Sequence, residues 1–271
     1  MFSPYRAFPI LKVFSMEARY PTAEHEAAAS AAVTFFSGRP ETEAVLLTCS
    51  CARGKASRDS CLDLAVLVLP GIDKGPLKQA WNEFHETQPV FKAIKQVGKY
   101  THVDLEFTDG CFTPEYHGWT SGPDNFELEI GNALVYAVPL WQKGEYLQRL
   151  KSQWLPYYDE ALRQERLAMV EGYCLNNLDH IPLFVERGLY FQSFDRLYHA
   201  FGEFLQALFI SRRTYPIAYD KWIREQIVEI LGLPELYPQL PRLFEIHDFE
   251  SREITSKAET VRQLLREYVV H

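Results

Sequence analysis

Residues 62–70, LDLAVLVLP, form an apolar run broken only by the carboxylate of Asp63. A strand with one wet face alternates apolar and polar residues, whereas a near-continuous run belongs to a strand covered on both faces. Such a strand needs neighbours on either side and packed layers above and below. The flanking sequence can supply them. TAEHEAAASAAVTFF, 22–36, is alanine-rich and helix-favouring, with Thr22 as N-cap and Gly38-Arg39-Pro40 as its stop. EAVLLTC, 43–49, is a short apolar run of strand character, and residues 76–97 have helical spacing broken at Pro89. YTHVDLEFTDG, 100–110, alternates, with Val103, Leu105 and Phe107 on one face and Asp104 and Glu106 on the other. The turn-rich segment 112–125 is expected to be a long loop, and the apolar stretch NALVYAVPLW follows it.

From about residue 144 the pattern turns helical. Phe191, Phe194, Tyr198, Phe201, Leu205 and Leu208 recur every three or four positions and make one broad apolar stripe. Residues 158–178 and 253–268 behave alike, and DKWIREQIVEILG ends at Gly232 with Pro234 just beyond. The chain therefore reads as α+β, with a mixed-sheet N-terminal domain over 1–145 and a C-terminal helical bundle over 146–271. No internal repeat or low-complexity tract appears.

A length of 271 residues suits two modest domains. The net charge of −8 argues against a polynucleotide partner, because each phosphate contact needs Lys or Arg. With no secretory signal pattern and no run of 18 apolar residues, the expectation is a soluble cytoplasmic protein with no membrane partner. The oligomeric state is not specified. The odd count of five cysteines then reads as free thiols.

Residues two apart on a strand share a face, so Cys61 accompanies Asp63, and Glu106 accompanies Asp104. If the two strands are neighbours, Asp63 and Asp104 can offer Mg²⁺ the one or two carboxylates it takes alongside substrate phosphates. On spacing alone the plainer reading is the usual one, a half-exposed strand with acidic outward positions. Ahead of Asp63, the small-residue turn Ser50–Gly54 can present backbone N–H groups to phosphate.

The stretch TCSCARGKASRDSCLDLAVLV resembles the nucleotidyltransferase superfamily, the fold of DNA polymerase β and of aminoglycoside and lincosamide nucleotidyltransferases. The matching residues are Cys49, Ser50, Ala52, Arg53, Gly54, Ser60, Cys61, Asp63 and Leu64, with Asp104 as third carboxylate and Glu106 as its alternative. Segments of the second half, among them WLPYYDEALRQERL and FLQALFISRRTYPIAYDKWI, extend the resemblance to bacterial proteins that join this domain to a helical one. The resemblance implies Mg²⁺-dependent transfer of a nucleoside monophosphate from ATP or another nucleoside triphosphate to a small-molecule acceptor. Asp63 would ligate metal, Asp104 would ligate metal or serve as general base, and Glu106 would support one of these roles. Ser50, Arg53, Gly54, Lys55 and Ser60 would hold the nucleotide, and Arg212, Arg213, Tyr215 and Lys221 the acceptor.

Two positions depart from the pattern. Cys49 stands where the motif has glycine, and Cys61 where it has its first carboxylate. A neutral thiol is a poor Mg²⁺ ligand. The alternative is thus a catalytically degenerate nucleotide-binding or regulatory protein, whereas under the enzyme reading a strand bulge would have to bring in Asp59, two residues earlier, as the missing ligand. A third reading gathers Cys49, Cys51, Cys61 and Cys111 with His102 and His117 into a zinc or redox site.

Overall fold

The computed structural model describes residues 17–271 apart from 115 and 117. The chain divides into two compact units. One comprises the described residues up to Phe112 together with Ile130–Leu155, and the other comprises Thr113–Glu129 and Pro156–His271. The division thus falls after Leu155, and residues 113–129 group with the second unit.

The first unit is built on a four-stranded mixed sheet of order β3-β2-β1-β4. β1 (Thr42–Leu47) is antiparallel to both β2 (Leu62–Val68) and β4 (Val138–Gln142), while β3 (Val103–Thr108) runs parallel to β2. One face carries Val45, Leu47, Leu62, Leu64, Val66 and Val68, and it packs under α1 (Ala23–Ser37), α3 (Lys74–Thr87) and α4 (Pro89–Ile94). The alanines explain the closeness of α1. Ala28, Ala29 and Ala32 are fully buried, and small side chains let a helix lie near a sheet. Phe36, Trp81 and Phe91 fill the remaining space, each worth about 2–3 kcal/mol of apolar burial. As expected, Pro89 separates α3 from α4, because proline removes an amide donor and disfavours helix at the residue before it.

A short turn of helix, α2 (Cys49–Ala52), joins β1 to the loop before β2. Beyond β3, α5 (Phe126–Ile130) continues as a π-helical turn over Gly131–Val135, and α6 (Tyr146–Trp154) follows β4. Gly110 has φ +72°, and a Cβ there would lie 2.4 Å from the Leu150 side chain, so α6 seats against this turn only because the position is glycine.

In the second unit α7 (Glu160–Glu186) and α8 (Tyr190–Ser211) form a helical hairpin joined by three residues, with Gly188 at φ +71°. α9 (Gln239–Arg242) and α10 (Glu253–Tyr268) complete it, and α10 packs on both long helices. The segment expected to form a helix over DKWIREQIVEILG is π-helical at Glu225–Ile230. Among the described residues no helix is long and apolar enough to cross a membrane.

A buried ion cluster holds residues 113–129 to this unit. Arg166 donates from Nη2 to both Asp124 oxygens at 2.8 Å, and from Nε and Nη2 to Glu127 at 2.6 and 2.8 Å. Tyr158 and Gln206 donate to the same Glu127 carboxylate. Burying Asp124 and Glu127 requires this pairing, since an unpaired interior charge is costly.

Candidate functional site

The register of β2 against β3 settles the arrangement of the carboxylates. The Leu62 amide donates to the His102 carbonyl at 2.9 Å, and Asp63 pairs directly with Asp104. Adjacent strands lie about 4.8 Å apart, so the two carboxylates occupy neighbouring positions on one face. Cys61 precedes Asp63 by two residues and shares that face. Its thiol donates to Asp63 Oδ1 at 3.1 Å. Burial, then the hydrogen bond and charge of Asp63, push this thiol up to about 12, so Cys61 is a neutral donor at physiological pH. Glu106 is exposed on the same face, but its partner across the pair is Ala65.

The turn from β1 into β2 lies against these residues. The Thr48 amide donates to the Asp63 carbonyl at 3.0 Å, and the buried Cys51 thiol donates to the Cys61 carbonyl at 3.6 Å. The amides of Ala52, Arg53, Gly54 and Lys55 are spent inside the turn, on Thr48, Cys49, Cys51 and Ser50 respectively. Cys49 has φ +54°, the left-handed region that glycine adopts freely and a side chain adopts under strain. The backbone here keeps the glycine conformation without the glycine. Gly54 also has positive φ, and a Cβ there would come within 3.1 Å of the Arg19 side chain. Arg19, Arg53 and Lys55 thus bring cationic side chains to one turn.

Ser60 has a structural partner. Its hydroxyl accepts from the Ser57 amide at 3.0 Å, and its carbonyl accepts from His25 Nε2 at 3.0 Å. The His25 ring is completely buried, and Nδ1 takes the Thr22 hydroxyl at 2.9 Å. Thr22, expected as a simple helix cap, therefore orients the imidazole that pins the entry to β2. His25 escaped notice in the sequence, although an imidazole in an alanine-rich helix is the one polar oddity there. Arg19 gave no signal at all.

Asp59 does not replace Cys61. Its carboxylate turns to the tight bend at Gly98, where a Cβ would sit 2.3 Å from Oδ1, and it accepts from the Lys99 amide at 3.4 Å. Nor do the cysteines assemble as a zinc site. Cys61 stands level with His102 at the start of the parallel pair, whereas Cys111 follows the far end of β3, about 20 Å along the strand. His102 meets the Tyr100 carbonyl through Nδ1, and His117 lies outside the described residues. Among the described residues no group of three or more His, Cys, Asp or Glu side chains is placed to hold a metal ion. This donor set does not fit a two-metal centre: two carboxylates stand side by side, and the third corner is a protonated thiol bonded to one of them.

The residues expected to meet an acceptor lie in the second unit. The Arg213 backbone is left-handed at the end of α8, with φ +48°, and Thr214 donates to Phe209 as in a helix-terminating turn. The Arg212 side chain donates to the Tyr268 carbonyl, and that of Arg213 to Glu160 at 2.8 Å. Tyr215 is fully buried and in ring contact with Tyr157. Lys221 is exposed. The loop between them is held by Gln226, whose amide binds the backbone of Ile217, Ala218 and Lys221.

No family model matches this sequence, and no curated protein matches it. Among solved structures, the chain is similar to a nucleotidyltransferase-like protein from Exiguobacterium sibiricum 255-15. The TM-score is 0.44 and the identity 14%, over 89% of this chain and 74% of that one.

Proposed function

We propose that the first unit is a nucleotide-binding domain of nucleotidyltransferase type in which the centre for transfer is incomplete. The observation that carries this reading is the Cys61 thiol donating to Asp63 at 3.1 Å, at the position where the resemblance calls for a first carboxylate. The face retains Asp63 and Asp104 in register, and the adjoining turn carries Arg53 and Lys55, cationic groups suited to a triphosphate. What it lacks is the charge that concentrates metal ions, and phosphoryl-type transfer depends on that electrostatic stabilisation. Such a domain holds ATP or another nucleoside triphosphate and reports its presence.

Calorimetric titration of ATP into the native protein tests this. Saturable binding is expected, weakened about tenfold in Lys55→Ala or Arg53→Ala by loss of a charge-assisted contact. Absence of binding, or affinity indifferent to both substitutions, overturns it.

One observation favours a second reading, in which a nucleoside monophosphate passes to a hydroxyl or amine of a small acceptor. Asp104 is exposed beside Asp63 and is a carboxylate able to take the acceptor's proton. Labelled AMP appearing on an acceptor after incubation with ATP is the outcome that selects it.

A further inference from the structure

β3 is an edge strand and, among the described residues, pairs only with β2. Peptide groups alternate sides along a strand. Since the His102 carbonyl faces β2, the N–H and C=O groups of Val103, Leu105 and Phe107 face away from it. The side chains of these three residues are only half-buried. They form one wall of a cavity of about 200 Å³, and α3 forms the other with Lys78, Trp81, Asn82 and His85. His85 Nε2 is buried and has no hydrogen-bond partner. The other face of β3 carries Asp104 and Glu106, both exposed. Within β3 itself there is no lysine, proline or bulge of the kind that usually prevents a further strand from pairing, and the one cation beside it among the cavity residues is Lys78 of α3.

We propose that β3 accepts an extended peptide segment as a fifth strand, with residues pointing alternately into the cavity and alongside the acidic face. Strand addition draws affinity from main-chain hydrogen bonds and specificity from pockets for alternate side chains, and both are present here. The cavity is smaller than the roughly 300–1,000 Å³ of small-molecule sites and suits a side chain. Its aromatic wall of Trp81 and Phe107, with the unsatisfied His85 nitrogen, favours tyrosine there. The alternate positions favour lysine or arginine, opposite Asp104 and Glu106. A second copy of this chain is a poor occupant, because β3 paired with itself brings these carboxylates together.

The test uses the full chain and a blocked peptide, Lys-Tyr-Lys-Val-Lys-Tyr-Lys, against the same peptide with proline replacing the central valine. The expected result is saturable binding with slowed amide exchange confined to residues 103–108, lost for the proline peptide. Glu106→Lys weakens binding roughly fivefold. Asn82→Trp, at an exposed position of α3, obstructs the cavity and removes binding. Equal binding of the proline peptide, binding without protection of 103–108, or no binding at all overturns the proposal. Cavity occupation by a free phenol that leaves β3 exchange unchanged also overturns it, in favour of a small-molecule site.

Discussion

The Cys61 thiol gives its proton to a hydrogen bond with Asp63, 3.1 Å away on the same strand face. Two residues that resemblance casts as joint metal ligands are thereby partners of each other. Asp63 is partly occupied as an acceptor, and the thiol contributes no negative charge. The adjacent Asp104 is left to act with a single neighbouring carboxylate.

The strain at Cys49 gives a prediction of stability. Its φ of +54° costs a side-chain-bearing residue about 1–2 kcal/mol, part of which glycine returns through its freer unfolded chain. Cys49→Gly is expected to raise unfolding stability by about 1 kcal/mol, whereas Cys49→Ala leaves it near the native value. Urea denaturation of the three proteins measures this, and a destabilised glycine variant contradicts it.

Arg166 predicts a different loss. It is the buried cation between Asp124 and Glu127, so Arg166→Met leaves two interior carboxylates without their counter-charge. A loss of about 3–5 kcal/mol is expected. Replacing Asp124 and Glu127 by Asn and Gln in the same protein should recover much of it, because the cost lies in the stranded charges. Denaturation midpoints of the single and triple variants decide the point.

Glu203 makes the second unit pH-sensitive. It is fully buried on α8, both oxygens accept from the Asn177 amide, and Arg196 donates to the same Asn177. Burial raises its carboxyl to about 8, and the Asn177 and Arg196 contributions only partly oppose this. The raised folded value means that the native state holds a proton the unfolded chain releases near pH 4.5. The stabilisation is complete below that pH and is lost progressively as pH rises towards about 8. Glu203→Gln cannot ionise. Its stability relative to the native protein should therefore increase between about pH 5 and about pH 8.5, as followed by urea midpoints. A constant difference across that range contradicts the assignment.

Much of the sheet was legible in the sequence because each strand carries a distinct burial pattern. The apolar run of β2 marked a strand covered on both faces, and the alternation in β3 marked an exposed acidic face. Their shared register was not legible, since it depends on how residues 69–102 fold back. The reach of residues 113–129 into the second unit was hidden for a similar reason: Asp124 and Glu127 meet Arg166 some 40 positions later. Local turn chemistry cannot announce such a pairing. The partners of Ser60 and Asp59, namely Ser57, His25 and the Gly98 bend, were not legible, because a loop residue next to a motif does not show in sequence which groups it meets.

The most direct measurement is ATP titration with and without Mg²⁺, on the native protein and on Cys61→Asp. The account predicts that Mg²⁺ changes native affinity little. In Cys61→Asp, the third carboxylate beside Asp63 and Asp104 should make binding Mg²⁺-dependent by at least about tenfold, or ~1.4 kcal/mol. A native protein whose ATP affinity already rises tenfold with Mg²⁺, and which the substitution leaves unchanged, would contradict the claim that Cys61 leaves the centre incomplete.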